Sequence, residues 1–485
     1  MTYPNATELV RSLAARDVSA LELADAAIAR IERHDEKLNA VVVRDFERAR
    51  QAASAADTAR ARGERAPLLG LPITVKECFN VAGLPTTWGI AGTEQNIAAA
   101  DSIAVGRLRA AGAVILGKTN VPTQLADWQS FNPIHGTTHN PWDLERTPGG
   151  SSGGAAAALT AGFSALELGS DLNGSLRVPA HCCGVYAHRP TFGLVPTRGY
   201  APPGVPILSV NADVDFGVIG PMARSAQDLM LALDVLAGPD DAQATAFTLR
   251  LPPPRHARLQ DHRVLVLDQH PLLPLSNEVR SALNDAATKL ERAGCKVGRS
   301  SPLLPDLALT ARTFAHLLMS FFGADMPEAA YEQLREQVAH LPADTPQIVR
   351  AELGGLVATH RSWVLADRTR TLIAHQWRQL FKEWDIVLCP VLPTIALRHD
   401  HSGMDARTID IDGRTLPYKL QAIWCSLAAV GGLPATALPL GTSSSGLPIG
   451  AQAIGPCLED RTPIGFAQRF EAEFGGFKVP PGFDD

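Results

Sequence analysis

The stretch GGSSGG at residues 149–154, followed by GSDLNGSLRVPA at residues 169–180, carries the strongest structural signal in the chain. The first segment leads directly into the helix-forming stretch AAAAL at residues 155–159. A Gly/Ser loop that feeds a helix N-terminus presents free backbone N–H donors toward an anionic centre. The second segment surrounds Ser175 with small, turn-forming residues, so that backbone N–H groups can converge on an oxyanion. The two segments therefore predict a site that stabilises developing negative charge.

A third segment, LPITVKE at residues 71–77, has the alternating pattern of a β-strand. Its apolar residues share one face, whereas Thr74 and Lys76 point to the other. A lysine at the end of a buried strand loses its hydration, so its pKa falls and the neutral amine can act as a base. A lysine that extends its head group into solvent is the alternative at this point. Lys76 is the candidate base.

Two motif matches point to other chemistry and fit less well. The GGSSGG loop matches the GxSxG pattern of the α/β-hydrolases through Ser151 and through Ser152, but the preceding residues 140–148 are turn-like, and no histidine follows His401. The segment GAVILGKT at residues 112–119 has the letters of a phosphate-binding P-loop. Its variable residues are those of a strand, not of a flexible loop, so it is interpreted as a strand that ends in a turn.

The composition excludes several classes of protein. The 485 residues are 46% hydrophobic and 19% charged, as in a packed globular protein, and the net charge of −6 argues against nucleic-acid binding by bulk charge. The seven cysteines contain no CxxC pair, so neither a disulfide framework nor a zinc ribbon is indicated. The N-terminus lacks a signal-peptide pattern, and no run of 18 apolar residues occurs. We expect a cytoplasmic protein with no membrane or nucleic-acid partner.

Hydrophobic periodicity predicts an α/β organisation. Residues 7–60 have helical patterns, with the capping box SALE at residues 19–22. In residues 71–235, short apolar runs alternate with helical patterns and Gly/Pro turns, which is typical of helices covering a sheet. Residues 237–262 resemble a linker, and residues 308–384 are largely helical in pattern. The predicted strands are 71–75, 113–116, 216–219, 264–267, 386–388 and 433–440, and a helix is predicted over 277–293.

In order and spacing, Lys76, the GGSSGG loop and the segment around Ser175 together resemble the amidase signature family. Further family-like segments lie at residues 109–120, 136–141, 183–191 and 431–450. The resemblance covers residues 5–235 and 380–475. It implies an α/β fold of α/β/α type, with a large mixed β-sheet covered by helices on both faces. It also implies one amidase domain over residues 1–485, with residues 300–380 as a variable helical elaboration.

The resemblance implies a role for each candidate residue. Ser175 would be the acyl-accepting nucleophile, Ser151 the bridging serine on a cis peptide bond, and Lys76 the base that starts the proton relay. The implied oxyanion-hole donors are the backbone N–H groups of Leu172, Asn173, Gly174 and Ser175. The residues expected to line the acyl pocket, or else simply to pack, are Leu125, Ala126, Asp127, Trp128 and Phe131. The residues expected to support the loops are Ser152, Asp171 and Arg177.

One position departs from the family pattern. Asn173 stands where the family usually has glycine, and Leu172 is more apolar than the threonine often found there. Asparagine is among the few residues that tolerate φ > 0, so we expect the turn to survive. We expect the Asn173 carboxamide to bias the choice of substrate and to leave the chemistry intact.

The resemblance implies neither a metal nor an organic cofactor. His399 and His401 have a metal-like spacing, but no third ligand is in view. The segment HCC at residues 181–183 is interpreted as loop packing.

These expectations describe an amide hydrolase that forms an acyl-enzyme on Ser175 and releases a carboxylate with ammonia or an amine. Three alternatives stay open: the glutamine-hydrolysing subunit of a tRNA-dependent amidotransferase, an α/β-hydrolase using Ser151 or Ser152, and a catalytically silent ligand-binding protein. Residues 196–216 diverge from what such a glutamine-hydrolysing protein leads us to expect. The expected partner is a small-molecule amide, whether aryl, fatty, urethane-like or small aliphatic, and a homodimer is one option.

Overall fold

The computed structural model describes residues 3–204 and 214–484. Residues 205–213, which belong to the divergent stretch noted above, lie outside the described residues. Within the described ranges, eleven strands form one sheet, and two further sheets have two strands each. The strands are β1 (Val41–Arg44), β2 (Pro72–Lys76), β3 (Val114–Thr119), β4 (Phe131–Asn132), β5 (Gly136–Thr137), β6 (Leu166–Asp171), β7 (Tyr186–Arg189), β8 (Val218–Ala223), β9 (Arg263–Val266), β10 (Lys296–Gly298), β11 (Ile386–Pro390), β12 (Thr408–Ile411), β13 (Arg414–Pro417), β14 (Ala435–Thr442) and β15 (Pro448–Ile454).

The large sheet is mixed, and its strand order is not that of the chain. From edge to edge the order is β1-β3-β2-β6-β8-β7-β14-β15-β11-β9-β10. Strand β2 pairs in parallel with β3 and β6, whereas β8 runs antiparallel to β6 and β7. Parallel neighbours require crossover connections, which helices supply. The order brings the ends of β2 and β6 together, although they are far apart in sequence.

Helices cover both faces of this sheet. Successive residues of a strand point to opposite faces, and all residues of the central strands β2, β6 and β8 are buried. In β9, Val264 and Val266 join one apolar cluster while Leu265 joins another. This α/β/α arrangement confirms the fold expected from the sequence. The helices are α1 (Ala6–Ala15), α2 (Ala20–His34), α3 (Phe46–Ala61), α4 (Ile103–Ala110), α5 (Gly153–Thr160), α6 (Arg177–Cys183), α7 (Ala226–Leu236), α8 (Asp241–Ala244), α9 (Asn277–Arg292), α10 (Leu307–Gly323), α11 (Glu328–Ala339), α12 (Gln347–Leu356), α13 (His360–Glu383), α14 (Ile423–Val430) and α15 (Arg461–Phe474).

Most elements predicted from the sequence lie where the pattern placed them. The predictions over 71–75, 113–116 and 386–388 correspond to β2, β3 and β11, and the predicted helix over 277–293 corresponds to α9. The capping box at the start of α2 is also confirmed, because Ser19 and Glu22 exchange side-chain and backbone hydrogen bonds. Patterns with a clear period and a clear boundary were therefore sufficient for these elements.

Three predictions were wrong in detail. Residues 7–60 are not helical throughout, because β1 lies between α2 and α3; its three valines favour an extended chain, and β3 offers them an edge to pair with. The strand predicted over 216–219 begins only at Val218, since Phe216 has a left-handed φ of 64°. The linker over 237–262 contains α8 and a short 3-10 turn at Leu259–Asp261.

The helical elaboration over residues 300–380 consists of α10 to α13. Helices α10 and α13 contribute Phe314 and Trp377 to an apolar cluster beneath them, whereas α11 has no buried residue. Helices α10 and α12 approach closely through Gly323 and Gly355. No helix among the described residues has the length and apolar character needed to cross a membrane.

Candidate active site

Lys76 is the last residue of β2, and its side chain is fully buried between β3 and β6. Its Nζ lies 2.7 Å from the Ser151 Oγ and 2.9 Å from the Ser170 Oγ. Ser151 comes from the GGSSGG loop, and Ser170 comes from β6. Strand β2, the GGSSGG loop and strand β6 thus meet at the Lys76 amine.

Burial sets the protonation of this amine. Burial lowers the pKa of Lys76 to about 8, against an opposing influence from Cys78, Asp171 and Glu167. Burial also raises the pKa of the Glu167 carboxyl to about 8. Lys76 therefore becomes neutral, and able to accept a proton, in the pH range just above neutrality.

The GGSSGG loop is held close to the backbone of other segments. The peptide bond between Gly150 and Ser151 is cis. A Cβ added to Gly150 would lie 2.5 Å from the Asp127 carbonyl oxygen, and one added to Gly154 would lie 2.3 Å from the Asn120 nitrogen. Glycine is required at both positions, because real Cβ atoms essentially never come that close to backbone.

Ser175 lies beside this loop and is the most accessible of the three candidate catalytic residues. It is 9% exposed, whereas Ser151 is 1% exposed and Lys76 is fully buried. The Ser152 N–H donates to the Ser175 carbonyl oxygen at 3.1 Å, and the Ser152 Oγ donates to the Ser170 carbonyl at 3.3 Å. Ser152 therefore ties the two loops together. Within the described residues, no hydrogen bond joins the Ser151 and Ser175 hydroxyls, so the structure brings Lys76 to Ser151 but does not complete the link to Ser175.

Asp171 organises the loop that contains Ser175. Its carboxylate accepts the backbone N–H of Gly174 at 2.8 Å and that of Leu176 at 3.2 Å. It also receives two donors from Arg177, each at 2.9 Å, and one from Arg189 at 3.2 Å. Burial alone would raise the pKa of the Asp171 carboxyl, but the two guanidinium groups hold it well below its usual range. Asp171 is therefore an ionised anchor at the base of the loop.

Three of the four expected oxyanion-hole donors remain available. Gly174 has φ +93° and its N–H is engaged with Asp171. In the described part of the chain, the N–H groups of Leu172, Asn173 and Ser175 have no acceptor. The turn is formed, as expected, but Asn173 does not adopt a positive φ, so the turn depends on Gly174 and not on the tolerance of asparagine for φ > 0. The Asn173 Oδ1 is buried without a partner among the described residues.

The segment expected to line the acyl pocket is fixed by residues that the sequence reasoning missed. The Asp127 carboxylate receives Arg407 at 2.6 Å and the Tyr418 hydroxyl at 2.7 Å. The Trp128 indole donates to the Asn173 carbonyl at 2.9 Å. These contacts join this segment to the loop of Ser175 and to the residues that flank the hairpin of β12 and β13. Only the order of the sheet and the packing of the hairpin bring these residues together, and no local pattern signals it.

The remaining residues of this segment are more open. Leu125 is half-buried with φ +59°, and Ala126 is exposed. The Phe131 ring stacks on the His401 ring, with 4.3 Å between their centroids. The structure therefore places Trp128 beside the loop of Ser175 by a direct hydrogen bond, and Phe131 beside the histidine pair.

The histidines that resembled a metal pair do not gather a third ligand. His399 and His401 lie with ring centroids 5.9 Å apart. Across residues 3–204 and 214–484, no group of three His, Cys, Asp or Glu residues is placed to hold a metal ion. Residues 181–183 lie in α6 and not in a loop, so the interpretation as loop packing was wrong in its element; the His181 ring packs against the backbone of Gly450 and Thr394.

Two further residues at the site were missed. Ser170 lies in the second motif, which was interpreted as a turn. Its position directly before Asp171 was the one feature of the sequence that pointed to the site. The Tyr200 hydroxyl donates to the Ser170 Oγ at 3.1 Å. Tyr200 lies far along the chain from Lys76, and no pattern in the sequence indicated it.

Comparison with known proteins identifies the family. The amidase family model matches residues 22–463. A glutamyl-tRNA(Gln) amidotransferase subunit from Roseiflexus castenholzii is 33% identical over 481 residues, covering 95% of this chain and 93% of that protein. Fatty-acid amide hydrolase 2-A of Danio rerio is 30% identical over 505 residues, covering 98% and 90%. The fold is shared with a bacterial aryl acylamidase of the amidase signature family, at TM-score 0.81 and 24% identity, over 99% of each chain. The chain therefore belongs to the amidase signature family.

Proposed function

We propose that this chain hydrolyses a carboxamide through an acyl-enzyme on Ser175. The observation that carries the proposal is the 2.7 Å hydrogen bond between the fully buried Lys76 Nζ and the Ser151 Oγ. A buried amine beside a serine hydroxyl is the arrangement that removes a proton from a poor nucleophile. The tie between Ser152 and Ser175 keeps the nucleophile next to this pair.

In the proposed reaction, neutral Lys76 accepts the proton of Ser151, while Ser151 accepts that of Ser175. The two hydroxyls approach when substrate binds, as catalytic contacts commonly tighten in the complex. The Ser175 Oγ bonds to the amide carbon, and the free N–H groups of the loop receive the oxyanion. As the C–N bond breaks, Ser151 gives its proton to the departing nitrogen and takes one back from Lys76, which becomes neutral again. Water then attacks the ester with Lys76 as base, which releases the carboxylate and restores Ser175.

The surroundings of the loop favour an apolar acyl group. Leu172 and Trp128 pack against an apolar cluster that includes Phe216 and Phe314. Asp127, the charged residue of the pocket segment, is already paired with Arg407. A carboxylate or ammonium group on the substrate would therefore meet apolar side chains and no unpaired charge on Asp127. We propose aryl or fatty amides as the substrate class for this reason.

Fluorophosphonate labelling with peptide mapping tests the nucleophile. We expect the label on Ser175, its loss in Ser175→Ala, and its retention in the control Ser320→Ala, whose hydroxyl bonds only to the Leu317 carbonyl of its own helix. A label on Ser151 or Ser152 would instead indicate an α/β-hydrolase mechanism. A wild-type chain that takes no label would contradict the proposed acyl-enzyme.

The same assay tests the base. Because burial lowers the pKa of Lys76 to about 8, the labelling rate of Ser175 should rise as pH increases through that value. In Lys76→Arg the guanidinium stays protonated at all accessible pH, so we expect a loss of roughly 100-fold or more, the usual contribution of a positioned base. An unchanged rate in this variant would show that Lys76 is not the base.

A second candidate is the glutamine-hydrolysing component of a tRNA-dependent amidotransferase. Its specific support is the 33% identity to the glutamyl-tRNA(Gln) amidotransferase subunit from Roseiflexus castenholzii. The two functions differ in what the purified chain does alone. Hydrolysis of aryl or fatty amides by the isolated chain, with glutamine left intact, supports the free amidase. Glutamine hydrolysis that appears only when the other amidotransferase subunits are added supports the second candidate.

A further inference from the structure

Tyr200 is buried next to the candidate base, although it contacts neither Ser151 nor Ser175. Its ring packs against Phe79 and Trp88, with centroid distances of 5.4 Å and 5.1 Å. Its hydroxyl donates to the Ser170 Oγ at 3.1 Å, and the same oxygen accepts the Lys76 Nζ at 2.9 Å. Ser170 is therefore a shared acceptor between a fixed phenol and the amine.

We propose that Tyr200 is a positioning residue which, through Ser170, orients the Lys76 amine toward Ser151. The proposal rests on the proposed function, because it assigns a geometric task within that reaction. Tyr200 acts on the amine through the Ser170 Oγ and not by a hydrogen bond of its own.

The hydrogen-bonding capacity of the amine changes when it loses its proton. Charged Lys76 carries three N–H donors, and neutral Lys76 carries two donors and one lone pair. Ser170 accepts one N–H in both states, so it holds the nitrogen in place while the proton moves. With Ser170 occupying one direction, the lone pair is free to face Ser151 at 2.7 Å.

Tyr200 controls how strongly Ser170 accepts. Burial raises the pKa of the Tyr200 hydroxyl, so the group stays protonated and remains a donor. Two donors that share one oxygen compete, which weakens each bond to that oxygen. The Tyr200 hydroxyl therefore lowers the preference of Ser170 for the charged form of Lys76.

The other titratable groups near the amine come from neighbouring segments and are unchanged in the variants below. Glu167 and Asp171 belong to β6, and Cys78 follows β2. The Cys78 thiol is also a hydrogen-bonding neighbour of Ser170. Any shift that follows a change at Tyr200 or Ser170 is then a change at the shared oxygen.

Two conservative variants should move the pH profile in opposite directions. Tyr200→Phe removes the competing donor, so Ser170 binds the ammonium better and the pKa of Lys76 rises. Ser170→Ala removes an acceptor of the ammonium, so the pKa of Lys76 falls. Since a hydrogen bond to a charged group is among the stronger ones, we expect shifts of roughly one pH unit. A merely structural role would lower rates without moving the two profiles apart.

The measurement is the pH dependence of the second-order rate of fluorophosphonate labelling at Ser175. The matched control is Tyr186→Phe, because Tyr186 is also buried and its hydroxyl has no partner among the described residues. We expect the control and the hydroxyl-retaining Ser170→Thr to keep the wild-type profile. The melting temperature of each variant shows whether it is folded. Each pH profile is compared with that of the wild type separately, so a variant that fails to fold leaves the remaining variants as the test.

The outcomes separate the two proposals. Opposite shifts in Tyr200→Phe and Ser170→Ala support the positioning role. Profiles that stay in place, or that move in the same direction, overturn it while leaving the acyl-enzyme intact. A wild-type chain without label on Ser175 overturns the proposed function itself.

Discussion

Burial acts on Lys76 and Glu167 in opposite directions, and the two residues lie on neighbouring strands. It lowers the pKa of Lys76 and raises that of Glu167, both to about 8. Near neutrality the Glu167 carboxyl is therefore mostly protonated, and its negative charge, which raises the pKa of Lys76, develops only as the pH approaches 8. The Glu167 Oε1 has no partner among the described residues. While the Glu167 carboxyl stays protonated, it carries no charge that would raise the pKa of Lys76.

Glu167→Gln should make stability less dependent on pH. The folded state holds the Glu167 proton more tightly than the unfolded chain, whose carboxyl titrates near its ordinary value of 4.5. The stabilisation that the wild type gains by holding this proton is therefore complete below that pH. It is lost progressively as pH rises toward 8. Glutamine does not titrate, so melting temperatures recorded from about pH 5 to about pH 9 should fall by a few degrees less in the variant.

The comparison uses the slope with pH and not the absolute melting temperature, because a buried amide changes stability at every pH. Glu64→Gln is the control, since Glu64 is exposed and its substitution should leave the wild-type slope unchanged. Parallel curves for the wild type and Glu167→Gln would contradict the raised pKa.

At this scale, local pattern predicted Lys76 but not its neighbours. The period of two predicted a strand that ends at Lys76 but left the alternatives of a buried and a solvent-extended amine open, and the structure buries it. Glu167 is a charged residue, a type that is rarely found buried without a partner, and nothing in its surroundings predicts burial. Tyr200 meets Ser170 only because of the fold. The roles of Ser151 and Ser175 came from the family resemblance and remain proposals.

Among the elements, the GGSSGG loop has little space for added atoms. Gly154 lies against the backbone of Asn120, and its N–H donates to the Asn120 carbonyl. Gly154→Ala should therefore displace the loop and separate Ser151 from Lys76. We expect a loss of about 1–3 kcal/mol in the free energy of unfolding, as for other overpacked sites, together with slower labelling of Ser175.

Gly106→Ala is the matched control for this substitution. Gly106 lies in α4, and an added Cβ meets nothing within 4 Å. Alanine is the better helix former by about 1 kcal/mol, so this variant should be as stable as the wild type or more so. Denaturant midpoints and labelling rates are measured side by side for the two variants. Equal denaturant midpoints and equal labelling rates in the two variants would show that the close contact at Gly154 controls neither stability nor the labelling of Ser175.

Elements with a clear periodic pattern were predicted correctly. A short strand whose extended form depends on pairing with a neighbouring strand was not. Helix α9 and strand β11 have clear patterns, and both were predicted. Strand β1 is short, and its extended form depends on the edge of β3. The contact of Asp127 with Arg407 joins segments that are remote in sequence, so the position of Asp127 depends on tertiary packing and not on local sequence.

At the scale of the whole molecule, the N-terminal and C-terminal halves of the chain each supply one block of strands, and the two blocks join where β7 pairs with β14. Strands β14 and β15 come late in the sequence, yet they lie between β7 and β11 within the large sheet. Residues Tyr186 and Leu438, from β7 and β14, belong to the same apolar cluster. Removing either end would therefore expose strands in the interior of the sheet. We propose on this basis that residues 1–485 form one domain, as the sequence suggested.

One domain of this kind should unfold as a single cooperative unit. We expect amide hydrogen exchange of peptides covering β2 and β15 to report the same opening free energy, because neither strand can leave the sheet alone. Helix α11 is an internal reference: it has no buried residue, so its amides should exchange much earlier. If β15 opened at a lower free energy than β2, the C-terminal strands would form a separate unit, and the order of the sheet would not be what couples the halves. Agreement between them, with α11 exchanging first, would show that the pairing of β7 with β14 couples the two halves and that the sheet holds Lys76, Ser151 and Ser175 in one cooperative body.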